Sequence, residues 1–225
     1  AILQQGFNIV CTPALVEHRE QKKDTAYKKT IGLLTNTIFM VLLVIALAVF
    51  LFPGILIRLT LPGFKEEAVS RAAFFLRIMS FLIVFDSIEG FFSSIAFSLE
   101  RYLLPSVSLV VRNFVILSIV YIFSGRIGIS SAAWGTIFGS LAGVLFISPF
   151  ALRYYKFSFD LRDPVIKKIS RLFSPWVAAY ILGKIWQVVE RAIASYLAAG
   201  VISALFYAFK LLSTILGFSS IGINT

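Results

Sequence analysis

The apolar run from Val201 to Ile223, V-I-S-A-L-F-Y-A-F-K-L-L-S-T-I-L-G-F-S-S-I-G-I, constrains this chain most, because a lysine stands near its middle. A run of that length can cross a bilayer, since about 20 residues rising 1.5 Å each span a hydrocarbon core of roughly 30 Å. A cation near the centre of such a helix costs about 2.5–3.5 kcal/mol on insertion scales. A partner, a wet cavity or an anionic ligand offsets a cost of that size. The chain is therefore expected in a membrane, with Lys210 facing a polar lumen or an anion.

Charge content agrees. Charged residues make up 14% of the 225 residues, against about 25% in a soluble domain. One cysteine (Cys11) and one histidine (His18) leave no disulfide within the chain and no Cys/His metal cluster, and no cofactor is expected. Cys11 reads as a small packing residue and His18 as a solvated loop residue. The net charge of +10 raises nucleic acid as a partner. Its distribution argues against that. The basic residues cluster between apolar runs, as the flanks of membrane helices do, and no soluble basic face is left to track phosphates. The start, A-I-L-Q-Q-G-F-N-I-V, has no Met, no basic region and no A-x-A site, so it is not a signal peptide. It reads as a helix cut open partway along, and the chain as a fragment of a longer membrane protein.

Seven helical segments are expected: 1–16 (truncated), 31–57, 71–99, 105–123, 130–152, 172–199 and 201–223. Pro105 suits a first helical turn. Tight turns fall at T-L-P-G-F (Thr60–Phe64), at S-G-R-I-G (Ser124–Gly128) and at Gly200. One set of alternate loops is richer in Lys and Arg than the other. Arg19, Lys22, Lys23, Lys28 and Lys29 share one of its loops, Arg101 another, and Arg153, Lys156, Arg162, Lys167, Lys168 and Arg171 a third. The other set holds Arg58, Lys65 and Arg71 around the P-G-F turn, Arg126 in the next and none around Gly200. By the positive-inside rule the richer loops are cytoplasmic. Gly135, Gly139 and Gly143, at four-residue spacing, predict close helix packing through a small-residue face, with a hinge as the functional alternative.

Charges inside the spans mark candidate sites, because intramembrane charges usually face a bundle interior or a wet cavity. Lys184, Gln187 and Arg191 share a face of the sixth segment, and Ser203, Tyr207, Lys210 and Thr214 form a polar stripe on the seventh. These two faces are read as lining a cationic cavity. For Lys184, Glu190 and Arg191, mutual ion pairing near a helix end is the structural alternative. Asp86 and Glu89 share a face of the third segment with Ser93. A charge partner on a neighbouring helix is the favoured reading, and a proton or cation site the alternative. Arg77 and Arg112 read as snorkelling to an interface. A cationic cavity suits a diphosphate, whose oxygens ammonium and guanidinium groups bind strongly in a low dielectric. The sequence carries no P-loop, no G-x-S-x-G and no H-E-x-x-H. A transporter is expected rather than an enzyme.

Four stretches resemble one family. G-V-I-S-A-L-F-Y-A-F-K-L (Gly200–Leu211) is similar to the G-x-x-S-x-L-x-Y-A-x-R-L signature of the MurJ/MviN lipid II flippases, within the multidrug/oligosaccharidyl-lipid/polysaccharide exporter superfamily. T-L-P-G-F resembles that family's P-G-F turn. R-Y-L-L-P-S (Arg101–Ser106) followed by Asn113 resembles its R-F-x-x-P…N pattern, and Pro13 with Glu17 its V-P-x-x-x-E stretch. The resemblance implies an all-α polytopic membrane protein of the bacterial inner membrane, about seven helices of a two-lobe, roughly fourteen-helix fold. Residues 1–152 would hold most of the first lobe. Residues 153–171 would be a cytoplasmic linker between lobes, and 172–225 the first two helices of the second lobe. It implies a flippase that moves an undecaprenyl-diphosphate-linked peptidoglycan precursor to the outer leaflet by alternating access. Its partners would be that lipid-linked saccharide, membrane lipids, and a coupling cation or the membrane potential. Lys210 falls at a diphosphate-contacting position where the family usually has Arg. Phe209 replaces a common Asp, Ser213 an acidic residue or Gln, and Ile215 a Pro. Gln4 stands where Glu is frequent, and Phe81 where Pro is. A lipid-linked oligosaccharide flippase and a cation-coupled drug exporter using Asp86 or Glu89 are the alternatives, with a non-transporting scaffold as the third.

Overall fold

The structure, a computed structural model, describes residues 2–21, 24–160, 162–197 and 200–221. The described residues form helices and no strand: α1 (Ile2–Gln21), α2 (Asp24–Leu51), α3 (Pro53–Thr60), α4 (Glu66–Met79), α5 (Phe81–Ser98), α6 (Leu103–Ile127), α7 (Ser130–Leu152), α8 (Pro164–Ala194) and α9 (Val201–Ile221). Five stretches among the described residues are long and apolar enough to cross a membrane: Tyr27–Leu51, Glu66–Ser98, Leu103–Ile127, Ser130–Leu152 and Pro164–Ala194. Of the other two expected segments, α1 falls outside that set, and α9 contributes the shorter apolar stretch Val201–Thr214. The chain is thus an all-α polytopic membrane protein.

Several boundaries differ from those expected, each for a local reason. The second segment stops at Leu51 and α3 restarts at Pro53, because a proline supplies no N–H to continue the ladder and fits the first position of a new helix. The third segment starts earlier and divides at Ser80, whose amide and hydroxyl both donate to the Arg77 carbonyl (3.3 and 2.7 Å). The fourth runs through S-G-R-I and ends at Gly128, whose φ of 54° and amide bond to the Ser124 carbonyl (3.0 Å) cap it. The sixth begins at Pro164, inside the stretch read as a polar linker. His18 lies on α1 rather than in a loop; its side chain is outside the described residues.

The chain divides into two compact units. The first comprises residues 1–53 and 74–180. Its helix pairs are α1 with α5, α5 with α7, α6 with α7 and α2 with α5. Phe7, Leu15, Ile31, Phe91, Ile95 and Ile147 form the buried core, joined by Cys11. Phe7 meets Phe91 edge-on at 6.1 Å and stacks on Phe173 at 5.4 Å, geometries worth roughly 0.5–1.5 kcal/mol each beyond the area they bury. The glycines of α7 let helices approach. A Cβ on Gly139 would collide with Ile116 and lie 2.8 Å from the Arg112 carbonyl oxygen. One on Gly143 would lie 2.5 Å from the Glu89 carboxylate. This is the close-packing role expected of the stripe.

The second unit comprises residues 54–73 and 181–225. It holds most of α3, the P-G-F turn, the start of α4, the end of α8, and α9. Gly200 (φ 96°) turns the chain between α8 and α9, a backbone conformation that costs a side-chain-bearing residue roughly 1–2 kcal/mol.

Candidate functional site

A cavity of about 300 Å³ opens between α8 and α9. From α8 it is lined by Gln187, Glu190, Arg191 and Ala194. That i, i+3, i+4, i+7 spacing is one face of a helix. From α9 come Ile202, Leu205, Phe206, Phe209, Lys210 and Ser213. Among the described residues Lys210, Arg191 and Glu190 have no side-chain ion pair with one another or with any other group. Two cations and one carboxylate therefore face a small, mostly apolar space without mutual neutralisation.

The expected site residues divide. Lys210, Arg191 and Gln187 come together on this cavity. Lys184 stays on the expected face of α8 and reaches it only indirectly, donating to the Gln187 side-chain oxygen at 3.0 Å. Ser203 and Tyr207 do not line it; like Gln187, Arg191 and Lys210, both are exposed. Thr214 and Ser213 both donate to the Lys210 carbonyl (2.8 and 2.9 Å), a bond within the helix. Lys210 stands where two stripes of α9 meet, the polar one and the one carrying Phe206, Phe209 and Ser213. Phe206, Phe209, Ser213 and Glu190 were not among the expected site residues. The signal for Glu190 was its three-residue step from Gln187.

A second cluster lies in the other unit. Arg112 Nη1 is 3.0 Å from Asp86 Oδ1 and 3.1 Å from Glu89 Oε2, and Nη2 is 3.3 Å from Asp86 Oδ2. Ser140 donates to Asp86 Oδ1 and Ser108 to Glu89 Oε1, both at 2.7 Å. Each carboxylate oxygen so receives a donor. Glu89 is 2% exposed and Arg112 14%. Arg112 therefore does not snorkel. It turns inward to join α5 to α6, where the two carboxylates and their hydrogen bonds offset part of the cost of burying its charge. For Asp86 and Glu89 the arrangement is that of a charge pair with a neighbouring helix. Arg77 remains exposed, donating from Nε to the Phe50 carbonyl at 3.2 Å with its guanidinium 5.7 Å from the Phe50 ring.

The fold and these sites define a class: a multi-spanning helical membrane protein with one charge cluster inside a helix bundle and a second set of charges lining an open cavity. The family described as "Lipid II flippase MurJ" matches residues 2–225. The chain is 29% identical over 214 residues to a probable lipid II flippase MurJ of Aquifex aeolicus, covering 92% of this chain and 41% of that protein. It is 25% identical over 214 residues to one of Borreliella burgdorferi, covering 91% and 41%. A solved structure described as "Lipid II flippase MurJ, inward closed conformation" shares the fold, with a TM-score of 0.75 at 24% identity over 93% of this chain and 45% of that one. The chain belongs to the lipid II flippase MurJ family. It spans about 41% of the length of these two curated relatives.

Proposed function

We propose that the protein containing this chain moves an undecaprenyl-diphosphate-linked peptidoglycan precursor from the cytoplasmic to the outer leaflet of the bacterial inner membrane, by alternating access of two lobes. The observation that carries the reading is the pair of cations, Arg191 on α8 and Lys210 on α9, lining one cavity without ion-pair partners among the described residues. Cations in such a setting are costly alone and bind phosphate oxygens strongly. The volume limits what enters. About 300 Å³ is the small end of ligand pockets, which run from roughly 300 to 1,000 Å³. It suits a diphosphate and its linking atoms rather than a whole glycopeptide. In this reading residues 1–152 belong to one lobe and 172–225 begin the other, with 153–171 between them. The membrane potential, worth about 2.3 kcal/mol per charge per 100 mV, or a cation resets the empty cavity.

The exporter alternative places a coupling ion at Asp86 and Glu89. It has less support, because Arg112, Ser108 and Ser140 already engage their carboxylate oxygens. The test is complementation of a flippase-depleted strain by the full-length protein. Lys210→Ala fails to restore growth at wild-type protein abundance, while Lys210→Arg restores it. Normal growth with Lys210→Ala would overturn the reading.

A further inference from the structure

Gly63, in the P-G-F turn, does not need to be glycine for its backbone: the positive-φ glycines among the described residues are Gly128 and Gly200. The turn closes through the Phe64 amide on the Leu61 carbonyl at 3.2 Å, and an alanine would satisfy that conformation. Its surroundings demand glycine instead. A Cβ at Gly63 would lie 2.5 Å from both the carbonyl carbon and the oxygen of Ser195, and 2.7 Å from the Tyr196 nitrogen. These are backbone atoms and cannot rotate aside. The Gly63 amide donates to Ser195 Oγ at 2.9 Å, and that hydroxyl donates onward to the Ala192 carbonyl at 2.6 Å. Ser195 is 7% exposed. The turn is held in shape independently. Arg58 on α3 bonds both oxygens of Glu66 on α4 (2.7 and 3.0 Å), and the Leu61 amide bonds the Ile57 carbonyl at 2.7 Å.

Ser195 begins the corner between α8 and α9. Its amide donates to the Arg191 carbonyl at 2.9 Å, and its neighbour Ala194 lines the cavity with Arg191 and Lys210. A preformed turn thus packs on Ser195, next to the lining residue Ala194 and one helical turn from the cavity's Arg191. We propose that the P-G-F turn is a gate latch, in which Gly63 and Ser195 are positioning residues that close this end of the transport cavity. The inference rests on the transport reading for the cavity, but not on its cargo. The latch joins the P-G-F loop, with Arg58, Lys65 and Arg71, to the Gly200 loop, with none; their set of alternate loops holds fewer Lys and Arg than the other, so the latch closes the outer end.

The experiment is labelling of a cysteine at Ala194, which is 4% exposed. It uses the full-length protein carrying Cys11→Ala, with a membrane-impermeant maleimide added outside intact cells. Gly63→Ala raises the labelling rate about five- to tenfold, the scale on which losing one docked hydrogen-bonded contact shifts an equilibrium. Ser195→Ala raises it less, and Ser195→Thr, which keeps the hydroxyl, restores the parent rate. Gly54→Ala, in α3 with nothing within 4 Å of its Cβ, stays at the parent rate. An unchanged rate in Gly63→Ala, whether protein abundance holds or falls, overturns the latch. So does an equal rise in Gly54→Ala. Growth of the Lys210→Ala strain would remove the diphosphate cargo and leave this labelling result standing.

Discussion

Arg112 is the residue whose neighbours most changed its meaning. Helical phase places it on α6 but cannot say which helix it faces, so an interface-seeking arginine and an inward one look alike in sequence. With Asp86 and Glu89 against it, removing the guanidinium strands two carboxylates inside the bundle. Arg112→Ala is expected to cost about 3–5 kcal/mol, as breaking buried pairs does, read as a large fall in the melting temperature of the purified protein. Glu89→Gln leaves the Asp86 pair and is expected to cost less. Glu100 makes a second case. The Arg101 and Glu100 amides bond the Ala96 and Phe97 carbonyls (2.9 and 3.0 Å), so Glu100, at φ 61°, holds the left-handed position that ends α5. Glycine normally fills it. Glu100→Gly should stabilise the protein by about 0.5–1 kcal/mol, the backbone relief less glycine's entropy cost, seen as a small rise in melting temperature.

At the level of elements, apolar runs made the spans legible, because length and hydropathy are properties of a segment alone. Their ends were less so. The apolar pattern runs straight through Pro53, while S-G-R-I looks like a turn but continues α6 to Gly128. Backbone donors, rather than hydropathy, decide such points. The glycine stripe of α7 was legible in role but not in partner. The difference between glycines is testable. Gly139→Ala meets the Arg112 carbonyl at 2.8 Å and should destabilise by about 1–3 kcal/mol, as overpacking does. Gly125→Ala, with open space around it, should be neutral or gain up to about 1 kcal/mol. Thermal unfolding of the two variants separates these outcomes. Of the residues that spacing picks out, Gln187, Arg191 and Lys210 line the cavity, whereas Lys184, Ser203 and Tyr207 do not. Aromatic residues line the cavity beside Lys210, and a polar pattern alone cannot reveal that.

For the whole molecule, the family and its helical fold were legible because ordered motifs survive where overall identity is low. Orientation follows from loop charge and is open to direct measurement. Single cysteines replacing Arg101 or Arg162 should resist an impermeant maleimide in intact cells, whereas replacements at Lys65 or Arg126 should react. The reverse pattern would invert the assigned topology. In the proposed function, Arg191 and Lys210 hold the diphosphate of a lipid-linked saccharide. The most direct test is the equilibrium binding of such a lipid to the purified full-length protein, compared with Lys210→Ala and Arg191→Ala. Each charge-assisted contact is worth roughly 1.5–3 kcal/mol, so each variant should bind about tenfold or more weakly. Binding of wild-type strength in both variants would contradict the account.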